Sequence, residues 1–462
     1  MAVMEMLDRR HTVATQSYNR WLIPPAALAV HLCIGQAYAT SVYKNSLIEH
    51  FDASQTAIGF VFSIAIVMLG LSAAVFGTWV EKVGPRKAMF TAAVCWSSGF
   101  VVGALGVATN QLWLVYLGYG VIGGIGLGIG YISPVSTLIK WFPDRPGLAT
   151  GLAIMGFGGG ALIASPLSQS LLDTYASSPE DAIVPAFLTL AVLYMITMSL
   201  GAFTVRVPAD GWKPAGWTAP TAETAKPMQT TADVTAATSI RTPQFWLLWV
   251  VLFCNVTAGI GILEQAAPMI QDFFSDIDAT EAAGYVGLLS LANMCGRFVW
   301  SSTSDVIGRK PIYMGYLGIG AVLYFVLASS GTASVALFVA TTAVILSFYG
   351  GGFATVPAYL KDLFGGLQVG AIHGRLLTAW AAAGIAGPTI VNRVADSQTA
   401  AGKEGADLYT LSLYIMVGVL IVGFVANLLI RPVAERYHER DREATGRFTE
   451  KPQRTYETEE AR

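Results

Sequence analysis

One guanidinium stands where a guanidinium is costly. Arg297 falls inside Gly284–Ser304 (GYVGLLSLANMCGRFVWSSTS), a stretch that is otherwise apolar or small. Arginine cannot shed its proton, so in hydrocarbon it must face a polar cavity or an anion. Its planar fork matches the two oxygens of a carboxylate, and this points to a binding site for a negatively charged solute. Asn293 lies four residues earlier, on the same face of a helix, and offers its amide to the same ligand. Two further groups are candidates for carrying a coupling proton. Glu264 is the one carboxylate well inside an apolar stretch, where it would partner Arg297, carry a proton, or face water in an outer vestibule. His31 sits among apolar residues and reads equally as a proton acceptor, a cavity residue or a satisfied core histidine. Gln36 and Tyr38 follow it and add polar lining.

These groups need helices to hold them. The chain has 462 residues, 54% hydrophobic and 13% charged, against about 25% charged in soluble domains. Apolar windows of about 20 residues, enough to cross a bilayer, recur along its length. Twelve helices are expected, at 21–43, 55–79, 87–108, 111–139, 147–172, 183–205, 244–270, 281–304, 310–330, 333–360, 370–392 and 408–430. The segment 206–243, rich in Thr, Ala and Pro, divides them into six-helix bundles at 21–205 and 244–430. It is expected to be a flexible linker with no apolar face to bury. Residues 1–20 form a polar leading segment with no apolar core for a cleavable signal, and 431–462 a charged tail.

Three of the 28 lysines and arginines (Lys44, Arg393, Lys403) fall in odd-numbered loops, and Arg297 falls within a span. The other 24 lie in the leading segment, the even-numbered loops and the tail, which places both termini on the cytoplasmic side of the membrane. Cys33, Cys95, Cys254 and Cys295 fall inside spans with no paired spacing and read as small buried hydrophobes. A net charge of −2 and the lack of a basic patch argue against nucleic acid as a partner. No cluster suits a metal or cofactor, and no nucleophile stands with a base, so neither a cofactor nor enzymatic activity is expected.

The chain repeats itself. After helix 2 it reads Gly77-Thr-Trp-Val-Glu81-Lys-Val-Gly84-Pro-Arg86-Lys, and after helix 8 Ser301-Ser-Thr-Ser-Asp305-Val-Ile-Gly308-Arg309-Lys. The acid-to-glycine spacing is the same, and the acids are 224 residues apart. Pro134 and Pro357, near the ends of helices 4 and 10, are 223 apart. Two pairs at nearly one offset argue for parallel six-helix repeats. In each loop glycine supplies the turn, and the carboxylate can pair with cations or a helix N-terminus, a latch suited to a gate on the cytoplasmic side. Gly77, Glu81, Gly84, Arg86, Asp305, Gly308 and Arg309 are the candidates for it.

Tyr131 and Tyr349 precede the matched prolines, so pseudo-symmetry turns both toward a central cavity or into helix packing. Phe353, one turn beyond Tyr349, would close the apolar side. The glycines of helix 4 and the cluster Gly156, Gly158, Gly159 and Gly160 of helix 5 read as places where helices approach closely.

The paired loops and the two-times-six layout resemble the major facilitator superfamily over the whole length. Within it, Gly126-Leu-Gly128-Ile-Gly130-Tyr131-Ile-Ser-Pro-Val with Lys140-Trp-Phe-Pro-Asp144-Arg-Pro-Gly147, and the Thr242-Pro-Gln-Phe-Trp start of helix 7, look like the oxalate/formate antiporter family. That resemblance implies transport of small carboxylates on a fold shared with the monocarboxylate transporters. It also implies a carboxylate-binding arginine at the place of Arg297, a polar residue one turn before it, and site roles for both tyrosines. Glu81 stands where the superfamily has aspartate. Trp380 occupies the stretch of helix 11 where dicarboxylate-exchanging relatives place a lysine, so one cation serves the cavity, which favours a monocarboxylate. His373 and Arg375 are expected nearer the mouth, against loops or headgroups.

The fold expected is therefore an all-α membrane protein of twelve helices in two bundles, the major facilitator fold. The function expected is secondary active transport of a small organic anion by a monomer in the bilayer, through proton symport or anion exchange. A dicarboxylate or neutral-solute carrier and a transporter-like sensor are the competing readings.

Overall fold

A computed structural model of the chain describes residues 6–53, 55–175, 179–209, 211–218 and 228–439. Among the described residues, twelve long helices carry the fold. In the first half these are α1 (Ile23–Ile34, prolonged as a 3-10 stretch over Gly35–Tyr43), α2 (Gln55–Val83), α3 (Pro85–Ala108), α4, α5 (Pro146–Tyr175) and α6 (Pro179–Thr204). The fourth, α4, runs through Leu112–Val115, a wide π-helical stretch Tyr116–Gly123 and Gly124–Trp141. The second half holds α7 (Pro243–Phe273), α8 (Ala279–Ile307), α9 (Arg309–Ser330), α10 (Val335–Phe364), α11 (Val369–Leu376 and Thr378–Ala400) and α12 (Asp407–Leu429).

Side-chain caps fix the starts of three helices. Thr242 caps α7 by accepting from the Phe245 N–H, and Ser334 caps α10 by accepting from that of Leu337. Asp278 and Glu281 form a reciprocal capping box on α8. Ten of the helical stretches are long and apolar enough to cross a membrane. The remaining two, α8 and α11, match them in length and are less apolar.

The halves meet along two seams, α5 against α8 and α10, and α2 against α11. Small residues permit this. A Cβ on Gly77 would stand 2.9 Å from the Ala371 Cα, and one on Gly151 would stand 3.0 Å from the Arg297 carbonyl oxygen. Contact along α5–α8 runs from Gly147 and Asp305 up to Gly159 and Met294. Beyond that level Leu162 and Ile163 are exposed, and a side chain on Gly284 or Gly287 would meet nothing. The bundle is closed at the end bearing the paired loops.

The ends of 206–243 depart from the expectation of a linker without apolar burial. Val207 bridges to Val13, and Trp212 packs edge-on against Trp141 at 4.7 Å. On the other side Val234 is fully buried. Its N–H bonds the Phe364 carbonyl at 2.9 Å, and the Thr230 N–H bonds that of Asp362 at 2.7 Å. Isolated hydrophobes among Thr and Ala suffice, because each binds an existing groove and none has to build a core. Residues 219–227 lie outside the described residues. Cys33 and Cys254 are buried as expected, but Cys95 is half-buried and Cys295 exposed. On a membrane-facing surface hydrocarbon can replace protein around a thiol.

Candidate functional site

The centre is assembled around Arg297. Its side chain is fully buried on α8. Its Nε–H donates to the Asn293 Oδ1 at 3.1 Å, and one terminal N–H donates to the Ile154 carbonyl of α5 at 3.2 Å. Asn293 thus orients the guanidinium through its oxygen. Glycines open the space: a Cβ on Gly158 would lie 3.0 Å from the Arg297 Nε, and one on Gly350 would lie 3.1 Å from its Cγ. The rings of Phe157 and Phe353 flank the guanidinium at 5.8 and 5.5 Å. Among the described residues no carboxylate pairs with it, and its second terminal nitrogen has no acceptor.

Polar groups on neighbouring helices are orphaned in the same box, the ring nitrogens of His373 among them. Tyr131 of α4 is fully buried with its hydroxyl unpartnered, and so is the indole N–H of Trp380 on α11. Their rings lie 5.5 Å apart, and Trp380 stands 4.5 Å from Phe353. Tyr349 of α10 meets Phe353 edge-on at 5.2 Å, and its hydroxyl lies 3.4 Å from that of Tyr38. Buried donors left without acceptors cost about 1–3 kcal/mol each, and a cluster of them beside one cation can accept an anion. The walls around these donors are aromatic and apolar.

His31 of α1 is buried beside this box, its ring stacked on Tyr131 at 5.3 Å. Its Nδ1 lies 2.7 Å from the Ala153 carbonyl oxygen, and its Nε2 lies 3.1 Å from that of Tyr131. Gln36 accepts from Tyr119 at 3.0 Å, farther along α1. Glu264 lies on α7, and its side chain is outside the described residues. His373, expected near the mouth, is instead buried with its ring 5.9 Å from that of Tyr131. The break in α11 after Leu376 rotates this first turn toward the centre.

The paired loops form latches across both seams. Gly84 (φ 83°) and Gly308 (φ 100°) adopt the same left-handed turn, which glycine alone takes without strain. Asp305 accepts from the N–H groups of Gly147 and Leu148 at the start of α5, both at 2.9 Å. Arg309 holds Asp305 at 2.6 Å and Asp362 at 3.1 Å. In the other half Glu81 accepts from the Gly370 N–H at the start of α11 at 3.2 Å, from the Ser136 hydroxyl at 2.5 Å and from Lys140 at 2.5 Å. Lys361 adds a crossing bond to the Pro143 carbonyl at 3.0 Å. In the loop before α5, Asp144 is held by a two-pronged pair with Arg20 at 2.5 and 2.9 Å. Partial burial pushes that carboxyl up, and Arg20 outweighs it, leaving the group below its ordinary range.

A family model described as Major Facilitator Superfamily matches residues 26–388 and 266–456. The chain belongs to the major facilitator superfamily. It is 26% identical over 418 residues to the oxalate:formate antiporter of Oxalobacter formigenes, covering 90% of this chain and 93% of that one. To the apicoplast pyruvate carrier 1 of Toxoplasma gondii it is 25% identical over 474 residues, covering 83% and 86%. A crystal structure of the superfamily transporter FucP in the outward conformation matches the fold with TM-score 0.66 and 14% identity, covering 89% of this chain and 99% of that one. The protein is accordingly a multi-pass membrane transporter of this superfamily, and not an enzyme.

Within the superfamily fold, Arg297, Asn293, Tyr131, Tyr349 and Phe353 come together at the seam of the two halves, and His31 lies against Tyr131. Of the latch residues, Glu81, Asp305 and Arg309 pair directly, while Gly84 and Gly308 make the turns. Arg86 does not join a latch. It donates to the carbonyls of Met6 at 2.8 Å and Phe203 at 3.2 Å, tying the leading segment to the end of α6. The sequence reading missed Phe157 and the donor role of Trp380. For Trp380 the signal was present, because an indole in a polar stretch brings an N–H as well as a ring.

Proposed function

We propose that the protein carries a small monocarboxylate by alternating access, binding the carboxylate at Arg297. The observation that supports this most directly is the set of unpartnered donors around one buried guanidinium: the Arg297 terminal nitrogen, the Tyr131 hydroxyl and the Trp380 indole N–H. A carboxylate bound at the guanidinium would supply acceptors for such donors, and the rings of Phe157 and Phe353 would face a short apolar tail. One fixed cation in the box suits one negative charge. The names of the relatives, an oxalate:formate antiporter and a pyruvate carrier, support the same substrate class. In this reading the protein works as a monomer in a cell (inner) membrane with both termini cytoplasmic, and the latches close the inward gate. Proton symport and anion exchange both fit the binding site itself.

The test is uptake of radiolabelled pyruvate, lactate, formate, acetate and oxalate into proteoliposomes. A monocarboxylate is expected to enter, and Arg297→Gln is expected to lower its uptake at least about a hundred-fold, the loss of a buried charge-assisted pair. Undiminished uptake by Arg297→Gln, or preference for oxalate, would overturn this reading.

A further inference from the structure

We infer that His31 takes up the proton that accompanies the anion, making the carrier a proton symporter; this rests on Arg297 being the anion site. The geometry around the ring is unusual. Both ring nitrogens face main-chain carbonyl oxygens, Ala153 at 2.7 Å and Tyr131 at 3.1 Å. The Gly130 carbonyl also reaches the ring. Pro134, four residues on within α4, has no N–H to give it. A neutral imidazole has one N–H and one lone pair, so in this pocket one nitrogen must point a lone pair at a carbonyl oxygen. The imidazolium, with two N–H groups, satisfies both. The two carbonyl oxygens thus favour the charged ring.

What opposes that charge is full burial and the neighbouring guanidinium. Arg297 and His31 bind consecutive carbonyls of α5, Ile154 and Ala153. A carboxylate on Arg297 offsets the second positive charge, so anion and proton favour each other, and the coupling is reciprocal. The empty site (guanidinium, neutral His31) and the loaded site (guanidinium, carboxylate, imidazolium) then carry the same net charge of +1. Reorientation of either state moves the same charge across the membrane. Around His31, the titratable and charged groups are Tyr131 on α4, Arg297 on α8 and His373 on α11. Packed beside it, α5 presents Ala153, Gly156 and Phe157, α6 presents Gly201 against Ala26 and Val30, and α3 bonds the Cys33 carbonyl through Trp96.

The experiment uses the full chain in proteoliposomes with radiolabelled pyruvate and formate as probes. Wild-type protein is measured under an inward proton gradient, and separately in exchange against the same unlabelled anion preloaded inside. In His31→Gln the ratio of gradient-driven accumulation to exchange is expected to fall at least ten-fold. An unchanged ratio, or wild-type exchange with no gradient-driven accumulation, would overturn the proton role while leaving the carboxylate reading intact. Failure of every carboxylate to move by either route would instead refute the reading on which it rests. The second measurement does not depend on the variant being active. In 15N-histidine magnetic resonance of wild-type protein, saturating anion is expected to convert the His31 ring, identified by its loss in His31→Gln, from one N–H to two. A ring that keeps one N–H with anion bound would overturn the proposal.

Discussion

Asp305 and Glu81 occupy equivalent turns of the two repeats, and each reaches for the N-terminus of a helix in the opposite half. They do so unequally. Both carboxylate oxygens of Asp305 take backbone N–H groups from α5, and the flanking cation Arg309 has a side chain only 6% exposed. Glu81, one methylene longer, turns back on its own half. Two of its three bonds go to Ser136 and Lys140 of α4, one goes across to Gly370, and the Lys140 side chain is 35% exposed. A helix N-terminus attracts negative charge within its first turn only. The α5–α8 seam is therefore fastened by charge across the halves, and the α2–α11 seam mainly by the close fit of Gly70, Gly77 and Gly374 against the opposing helix. The closed end of the bundle thus has one electrostatic seam and one steric seam.

The largest effect is expected at the electrostatic side. Asp305→Asn keeps the shape and removes the charge that holds two helix N–H groups and Arg309. Breaking a buried pair from one side costs about 3 kcal/mol or more, so the population of the closed gate should shift roughly a hundred-fold toward opening. Distances between spin labels on Arg145 and Ile307, in protein whose four cysteines have been replaced, would report it. A distance distribution unchanged from wild type would show that packing alone holds this seam and that the contrast between the seams is wrong.

Much of this was legible beforehand, for physical reasons that also mark where it stopped. Apolar length announces a span, which made most of the helices legible, and a guanidinium inside a span-length stretch singled out Arg297. Matched acid and glycine spacing announced the two turns. Partners that are backbone carbonyls leave no mark in a sequence, however. Arg86 binds Met6 and Phe203 in that way, and Lys361 binds Pro143. Rotation about a helix axis is also invisible where the helix breaks, which is why His373 looked peripheral and is central. Phe157 was hidden among the glycines of α5, whose role as space for Arg297 depends on a neighbour in the other half.

A smaller effect is expected at the steric side. Glu81→Gln leaves an acceptor for Gly370 and Ser136 and loses the pair with Lys140. That pair is partly open to water, so screening holds its worth to about 1 kcal/mol, roughly a five-fold shift. Spin labels on Lys82 and Gly366 would read it. A shift as large as that of Asp305→Asn would mean that the two seams are electrostatically equal and that the longer side chain changes nothing.

The smallest effect concerns what braces the two helix N-termini. The start of α11 is held from the linker, where the Asp233 side chain accepts from the Leu367 N–H at 3.0 Å and Gln368 accepts from the Ala236 N–H at 2.8 Å. The start of α5 is braced instead by the ion pair of Asp144 with Arg20, both side chains 18% exposed. Asp144→Asn is expected to destabilise the protein by about 0.5 kcal/mol. Its pH dependence has a definite sign. The folded carboxyl lies below its ordinary value of 3.8, so the unfolded chain binds the proton first. The advantage of wild type over Asp144→Asn is thus complete well above pH 3.8 and shrinks as pH falls through the lower folded value. Thermal unfolding of both proteins from neutral pH to pH 3 would follow it. If the gap between them stayed constant across that range, the brace would be one of shape, and the α5 end would resemble the α11 end more than the contrast allows.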